Sequence, residues 1–179
     1  YLFVADRHIT DAFNPLTGWQ AHADPFSFDT HFKPASNIDK FRCGTPGVLS
    51  YIALESSLDI FEMVDMEAIR TKSKRLTTLF VDLVESLCEN YPLQLASPRD
   101  SSQRGSQVSF SHAEGWPIMQ ALIAHGVIGD FRAPNLLRFG FAPLYTRYED
   151  VWLAASMLAH ILQTECWKDP VYAAPKLVT

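Results

Sequence analysis

The segment Asn135-Leu-Leu-Arg-Phe-Gly-Phe-Ala-Pro-Leu-Tyr-Thr-Arg-Tyr-Glu-Asp-Val-Trp152 constrains the fold most, because it sets one arginine inside an apolar strand directly ahead of a signalled helix start. Arg138 is flanked by Leu136, Leu137, Phe139 and Phe141. A guanidinium in such surroundings must either reach the surface or meet a carboxylate, and its planar fork suits two parallel hydrogen bonds to a carboxylate. The helix that follows opens with Thr146-Arg-Tyr-Glu149, the pattern of a capping box. Its apolar positions are Val151, Trp152, Ala155, Leu158, Ala159 and Leu162.

The segments upstream supply partners for that strand. Leu93-Gln-Leu-Ala-Ser97 reads as a short strand, and Gln107-Val-Ser-Phe-Ser111 has the period-2 alternation of a half-buried one. Trp116-Pro117 starts a helix with apolar Ile118, Met119, Leu122 and Ile123, which Gly126 ends. Val127-Ile128 and Leu136 to Phe141 complete the strands, separated by a loop over Asp130-Phe-Arg-Ala-Pro134. From about residue 90 the order is therefore strand, strand, helix, strand, strand, helix. That order predicts an α+β layer arrangement, an open sheet with helices on one face.

The first part of the chain is less regular. Tyr1-Leu-Phe-Val-Ala5 reads as a short buried strand with no approach segment, as in the middle of a protein. The loop from Thr10 to Asp29 carries four aromatics, Phe13, Trp19, Phe26 and Phe28, which need cover from a larger domain or a partner subunit. Lys40-Phe-Arg-Cys-Gly-Thr-Pro-Gly47 is a tight connection in which Thr45 is placed as N-cap and Pro46 as the first helical residue. The helix from there to Val64 is apolar on most faces, so deep burial is expected. Asp65 is placed to cap a second long helix, with Leu76, Leu79, Phe80, Leu83, Val84 and Leu87 at core spacing, closed by Asn90-Tyr-Pro92.

Composition narrows the partners. The apolar fraction of 47%, charged fraction of 20% and net charge of -5 describe an ordinary globular chain. Scattered Lys and Arg disfavour nucleic acid, and the cluster Arg70, Lys72, Lys74, Arg75 reads as a solvated helix face. No apolar run reaches the roughly 20 residues of a membrane span. Three cysteines at wide spacing (Cys43, Cys88, Cys166) fit reduced thiols in the cytoplasm, and no zinc-type spacing or other metal motif occurs.

Arg138-Phe-Gly-Phe-Ala-Pro-Leu-Tyr-Thr-Arg-Tyr-Glu-Asp-Val-Trp152, with Gly126-Val-Ile-Gly-Asp-Phe-Arg132 before it, resembles the C-terminal part of the kynureninases, fold-type-I pyridoxal 5'-phosphate enzymes. Leu16-Thr-Gly-Trp-Gln-Ala-His22, Arg42-Cys-Gly-Thr-Pro46, Ile69-Arg-Thr-Lys-Ser73 and Arg104-Gly-Ser-Gln-Val-Ser109 resemble further segments of that family, in its order. The resemblance implies the C-terminal part of a transferase-like α/β fold: residues 1–65 as the end of the large cofactor domain and 66–179 as the small α+β domain. It also implies hydrolysis of L-kynurenine, with 3-hydroxykynurenine as a further substrate, to anthranilate and L-alanine in tryptophan degradation.

Family members hold the cofactor as a Schiff base on a lysine. None of Lys33, Lys40, Lys72, Lys74, Lys168 and Lys176 matches that motif, so no catalytic residue is assigned and the chain by itself is expected to be an inactive fragment. By resemblance, Trp19 and Thr45 contact the cofactor phosphate from the neighbouring subunit of a homodimer, and Arg138 pairs with the substrate α-carboxylate. His22 and Gly44 then line the substrate site. Gly44-Thr45 is similar to the bacterial pattern, which implies a preference for kynurenine over its 3-hydroxy form. The residues alone leave open that Trp19 is a loop anchor and Arg138 half of a strand-edge ion pair. They also leave open another fold-type-I enzyme, a cysteine desulfurase or class V aminotransferase, or a non-catalytic truncated fragment.

Overall fold

In a computed structural model, residues 2–174 are described, and they divide into a unit ending at Ile60 and a unit beginning at Phe61. The boundary expected at 65/66 lies between the last helix of the first unit and the first helix wholly inside the second.

The first unit has little regular structure: a short helix α1 (Asp6–Ile9), 3-10 turns at Trp19–Ala21 and Ile38–Phe41, and all but the last two residues of helix α2 (Val48–Glu62). Its centre is polar as well as apolar. Ala21 is buried, and so is Lys40, whose ammonium donates to the carbonyls of Ile9, Thr10 and Ala12 and so closes the C-terminal end of α1. Such a lysine satisfies helix-end carbonyls that have no intrahelical donor.

Three expectations fail in this unit. Residues 2–5 form no strand, and Leu2 and Phe3 are exposed, because a strand exists only by pairing and no described segment pairs with this one. The apolar helix α2 buries none of its residues, and Leu49 is 85% exposed. Its composition calls for a covering layer that the described residues do not provide. Thr45 is not its N-cap: the N–H of Tyr51 bonds to the carbonyl of Gly47 at 3.2 Å, which puts the cap at Gly47 and leaves Thr45 and Pro46 in the preceding loop.

The second unit begins with helix α3 (Met66–Leu87), and Asp65 caps it as expected, its carboxylate accepting from the N–H groups of Glu67 and Ala68. Leu76, Phe80 and Val84 recur every four residues and are buried on one stripe. Strands β1 (Gln94–Leu95), β2 (Gln107–Ser111), β3 (Asp130–Arg132) and β4 (Leu136–Gly140) form one antiparallel sheet in the order β1-β2-β4-β3. Helices α4 (Gly115–Ala124), α5 (Tyr148–Thr164) and a short α6 (Pro170–Ala173) complete the unit.

Register explains the single core. Val108 pairs with Phe139 and Phe110 with Leu137, so all four side chains share one face, the face against which α3, α4 and α5 bury Phe80, Ile118, Met119, Val151, Ala155 and Leu158. The ring of Phe80 lies 4.8 Å from that of Phe139 and 4.9 Å from that of Phe141. The open sheet with helices on one face is thus the observed architecture.

Local details depart from expectation. The strand read at Val127-Ile128 lies instead at Asp130–Arg132; Ile128 is 86% exposed, while the Val127 N–H bonds the carbonyl of Leu122 and belongs to the close of α4. Helix α5 begins one residue later than the Thr146 capping box: Arg147 is the N-cap, and its backbone N–H and guanidinium both reach the Asp150 carboxylate. Trp152, counted among the core positions, is half exposed. The basic cluster on α3 is not a free solvated face. Arg70 donates to the carbonyls of Ser101, Ser102 and Arg104, and Lys72 to that of Pro143 at 2.6 Å.

Candidate functional site

Two candidate elements emerge, one in each unit. In the first, the loops that carry Trp19 and Thr45 are locked together backbone to backbone. A Cβ on Gly18 would fall 1.6 Å from the carbonyl oxygen of Cys43, so only glycine allows this approach. The Cys43 thiol donates back to the Leu16 carbonyl at 3.0 Å. The interlock brings Gly44 beside the indole, where its Cβ position would lie 3.9 Å from Trp19 Nε1. Among the described residues neither the indole N–H of Trp19 nor the hydroxyl of Thr45 has a hydrogen-bond partner, and both side chains are exposed.

Trp19 also walls two adjoining clefts of about 360 Å³ and 530 Å³, which share Trp19, His22, Pro25 and Phe26. Its ring meets Phe26 edge to face at 5.7 Å. His22 is held through both ring nitrogens: Nδ1 lies 2.7 Å from the carbonyl oxygen and 2.9 Å from the N–H of Asp24, and Nε2 lies 3.3 Å from the carbonyl of His31. The structure thus brings Trp19, His22, Gly44 and Thr45 into one unit. The loop aromatics Phe13, Phe26 and Phe28 stand largely exposed around them.

The second element is built by sheet register. Ser109, Arg138 and Asp130 are directly paired across β2, β4 and β3, and so form one row on the face opposite the core. Arg138 escapes its apolar neighbours simply because alternate residues of a strand face opposite ways. Its Nη2 donates to the Asp130 carboxylate, and Arg132 Nε approaches the same oxygen at 3.5 Å. The Nε of Arg138 is buried and lacks an acceptor among the described residues. A carboxylate, one of the two outcomes that the sequence pattern left open, is therefore present, in a strand-edge pair, and the fork is only partly filled.

Asp130 and Ser109 were not singled out from sequence, because reading the third strand at Val127-Ile128 left Asp130 in a loop. A third residue missed is Arg104. It is 7% exposed and donates to the carbonyls of Pro98 and Arg99 and to the hydroxyls of Thr77 and Thr78, with no carboxylate partner among the described residues. Burial draws its pKa below the ordinary guanidinium value, with the charges of Asp100 and Asp82 opposing. Together with Arg70 it holds the loop between β1 and β2 by its carbonyls, a structural role.

Comparison with known proteins is consistent with these segments. The kynureninase C-terminal domain profile matches residues 69–158, from α3 into α5. Kynureninases of Burkholderia mallei (strain SAVP1) and Burkholderia pseudomallei (strain K96243) are each 50% identical over 179 residues, all of this chain and 43% of theirs. That of Pseudomonas fluorescens is 42% identical over 165 residues, 92% of this chain and 40% of its own. The chain thus spans less than half the length of these relatives. With a domain profile covering half its residues and identity across its full span, the chain belongs to the kynureninase family and corresponds to its C-terminal portion.

Proposed function

We propose that these residues serve a full-length, cytoplasmic kynureninase that hydrolyses L-kynurenine to anthranilate and L-alanine. The observation that carries the proposal is the Gly18–Cys43 interlock, which sets two unfilled donors, the Trp19 indole N–H and the Thr45 hydroxyl, on neighbouring loops. Two neutral donors on rigid backbone suit phosphate oxygens, so this donor set fits the phosphate of pyridoxal 5'-phosphate. The bound cofactor supplies the electron sink for chemistry at the substrate α- and β-carbons.

The protein side of the chemistry is binding and orientation. Arg138 holds the substrate carboxylate through the donors that Asp130 leaves unfilled. His22, held through both ring nitrogens, and Gly44, with no side chain to cover the indole, line the substrate side. The exposed aromatics of the Trp19 loop are covered by a second subunit, whose cofactor this loop contacts, making the working form a homodimer. The chain alone, without the family's lysine motif, does not turn over substrate.

Product analysis tests the assignment. Full-length protein loaded with pyridoxal phosphate is expected to release anthranilate and alanine in equal amounts from L-kynurenine. Release of sulfur from cysteine, or amino transfer to a keto acid, with no anthranilate formed would instead place it in another branch of the fold-type-I enzymes.

A further inference from the structure

The row Ser109–Arg138–Asp130 holds more information than the identity of its arginine. We infer that Asp130 is a positioning residue for carboxylate recognition: it tethers one edge of the Arg138 guanidinium so that the rest of the fork faces the incoming carboxylate. The inference rests on the proposed role of Arg138 and deepens it.

Three observations support it. Cross-strand pairing puts Asp130 directly opposite Arg138, so the contact is set by backbone register. The Asp130 carboxylate meets Nη2 of Arg138, and the buried Nε has no acceptor among the described residues. An N–H so placed carries an uncompensated desolvation cost that a ligand oxygen removes. Finally, Arg132 approaches the same Asp130 oxygen at 3.5 Å, so two guanidinium groups share one carboxylate and the group keeps a surplus of one positive charge. That surplus favours a second carboxylate bound beside Asp130 over one that displaces it. Tethering matters because an arginine on a bare sheet face has many rotamers, and fixing it in advance removes that cost from binding. On the other side of Arg138, the Ser109 N–H donates to the Ser97 hydroxyl at 2.8 Å and its own hydroxyl accepts from Gln107 Nε2 at 3.2 Å; among the described residues it makes no hydrogen bond to the guanidinium.

The test uses the full-length, cofactor-loaded enzyme and compares Asp130→Ala, Asp130→Glu and Arg138→Lys. Asp130→Ala is expected to raise KM for L-kynurenine about tenfold with kcat nearly unchanged, the scale of one charge-assisted hydrogen bond. Asp130→Glu should recover part of the loss. Inhibition by a carboxylate-bearing substrate analogue should weaken in parallel, while that by its decarboxylated counterpart stays the same. Tighter carboxylate binding in Asp130→Ala would show that Asp130 competes with the ligand and overturn the inference. So would equal losses for both inhibitors, the mark of a merely structural residue. An effect of Arg138→Lys with none from Asp130→Ala overturns this inference alone, whereas no effect of Arg138→Lys on KM or kcat overturns the carboxylate assignment beneath it as well.

Discussion

His112, at the end of β2, is 8% exposed, and burial pulls its pKa below the ordinary value of 6.5, with only Glu114 acting the other way. Its Nδ1 accepts the N–H of Glu114 at 3.0 Å, a bond that protonation would break. Below pH 6.5 the unfolded chain therefore takes up a proton that the folded chain refuses. The stability associated with neutral His112 is complete above that pH and is lost as pH falls towards the folded-state pKa, by at most about 1.4 kcal/mol per pH unit. Urea unfolding at pH 7 and pH 5 should show a smaller acid loss in His112→Gln than in the parent; equal losses would mean that His112 does not set the acid limit. The same scale shows what could be read in advance. That Arg138 must reach either the surface or a carboxylate followed from its apolar neighbours, but that the partner is Asp130 depended on the register of a three-residue strand, and no local pattern distinguishes Asp130 from the other acids of the chain.

At the scale of elements, capping and periodicity were legible where the signal is local. Asp65 caps α3 through two backbone N–H groups, and its replacement by Ala should cost about 1 kcal/mol, the usual worth of an N-cap. A drop in the urea midpoint with unchanged slope checks this; no change would mean that packing of Leu76, Phe80 and Val84 alone sets the start of α3. Cap positions were less legible where two residue types compete. At α5 the Thr146 pattern gave way to Arg147, which reaches Asp150 with both its backbone and its side chain. At α2 the loop needed for the Gly18–Cys43 approach holds Thr45 outside the helix. Arg70, Lys72 and Arg104 were misread or missed for one reason: their acceptors are backbone carbonyls, which every sequence has and none advertises.

Over the whole molecule, the second unit is self-sufficient in a way the first is not. Its apolar stripes meet one another in a single core, whereas α2 and the aromatics Phe13, Phe26 and Phe28 in the first remain exposed despite sequences that read as buried. The contrast is physical: patterning says that a face will be covered, but not by which chain or segment. For a chain spanning 43% of its Burkholderia relatives, cover from outside the described residues is the expectation. The proposed phosphate donors lie in the first unit and the proposed carboxylate arm in the second. Full-length enzyme carrying Arg138→Lys puts this account to its most direct test, because lysine keeps the charge and loses the paired hydrogen bonds, each worth about 1.5–3 kcal/mol. The account predicts kcat/KM for L-kynurenine lower by roughly ten- to a hundredfold with little change in Tm. Unchanged turnover with a lowered Tm would contradict it and leave Arg138 as no more than the ion-pair partner of Asp130.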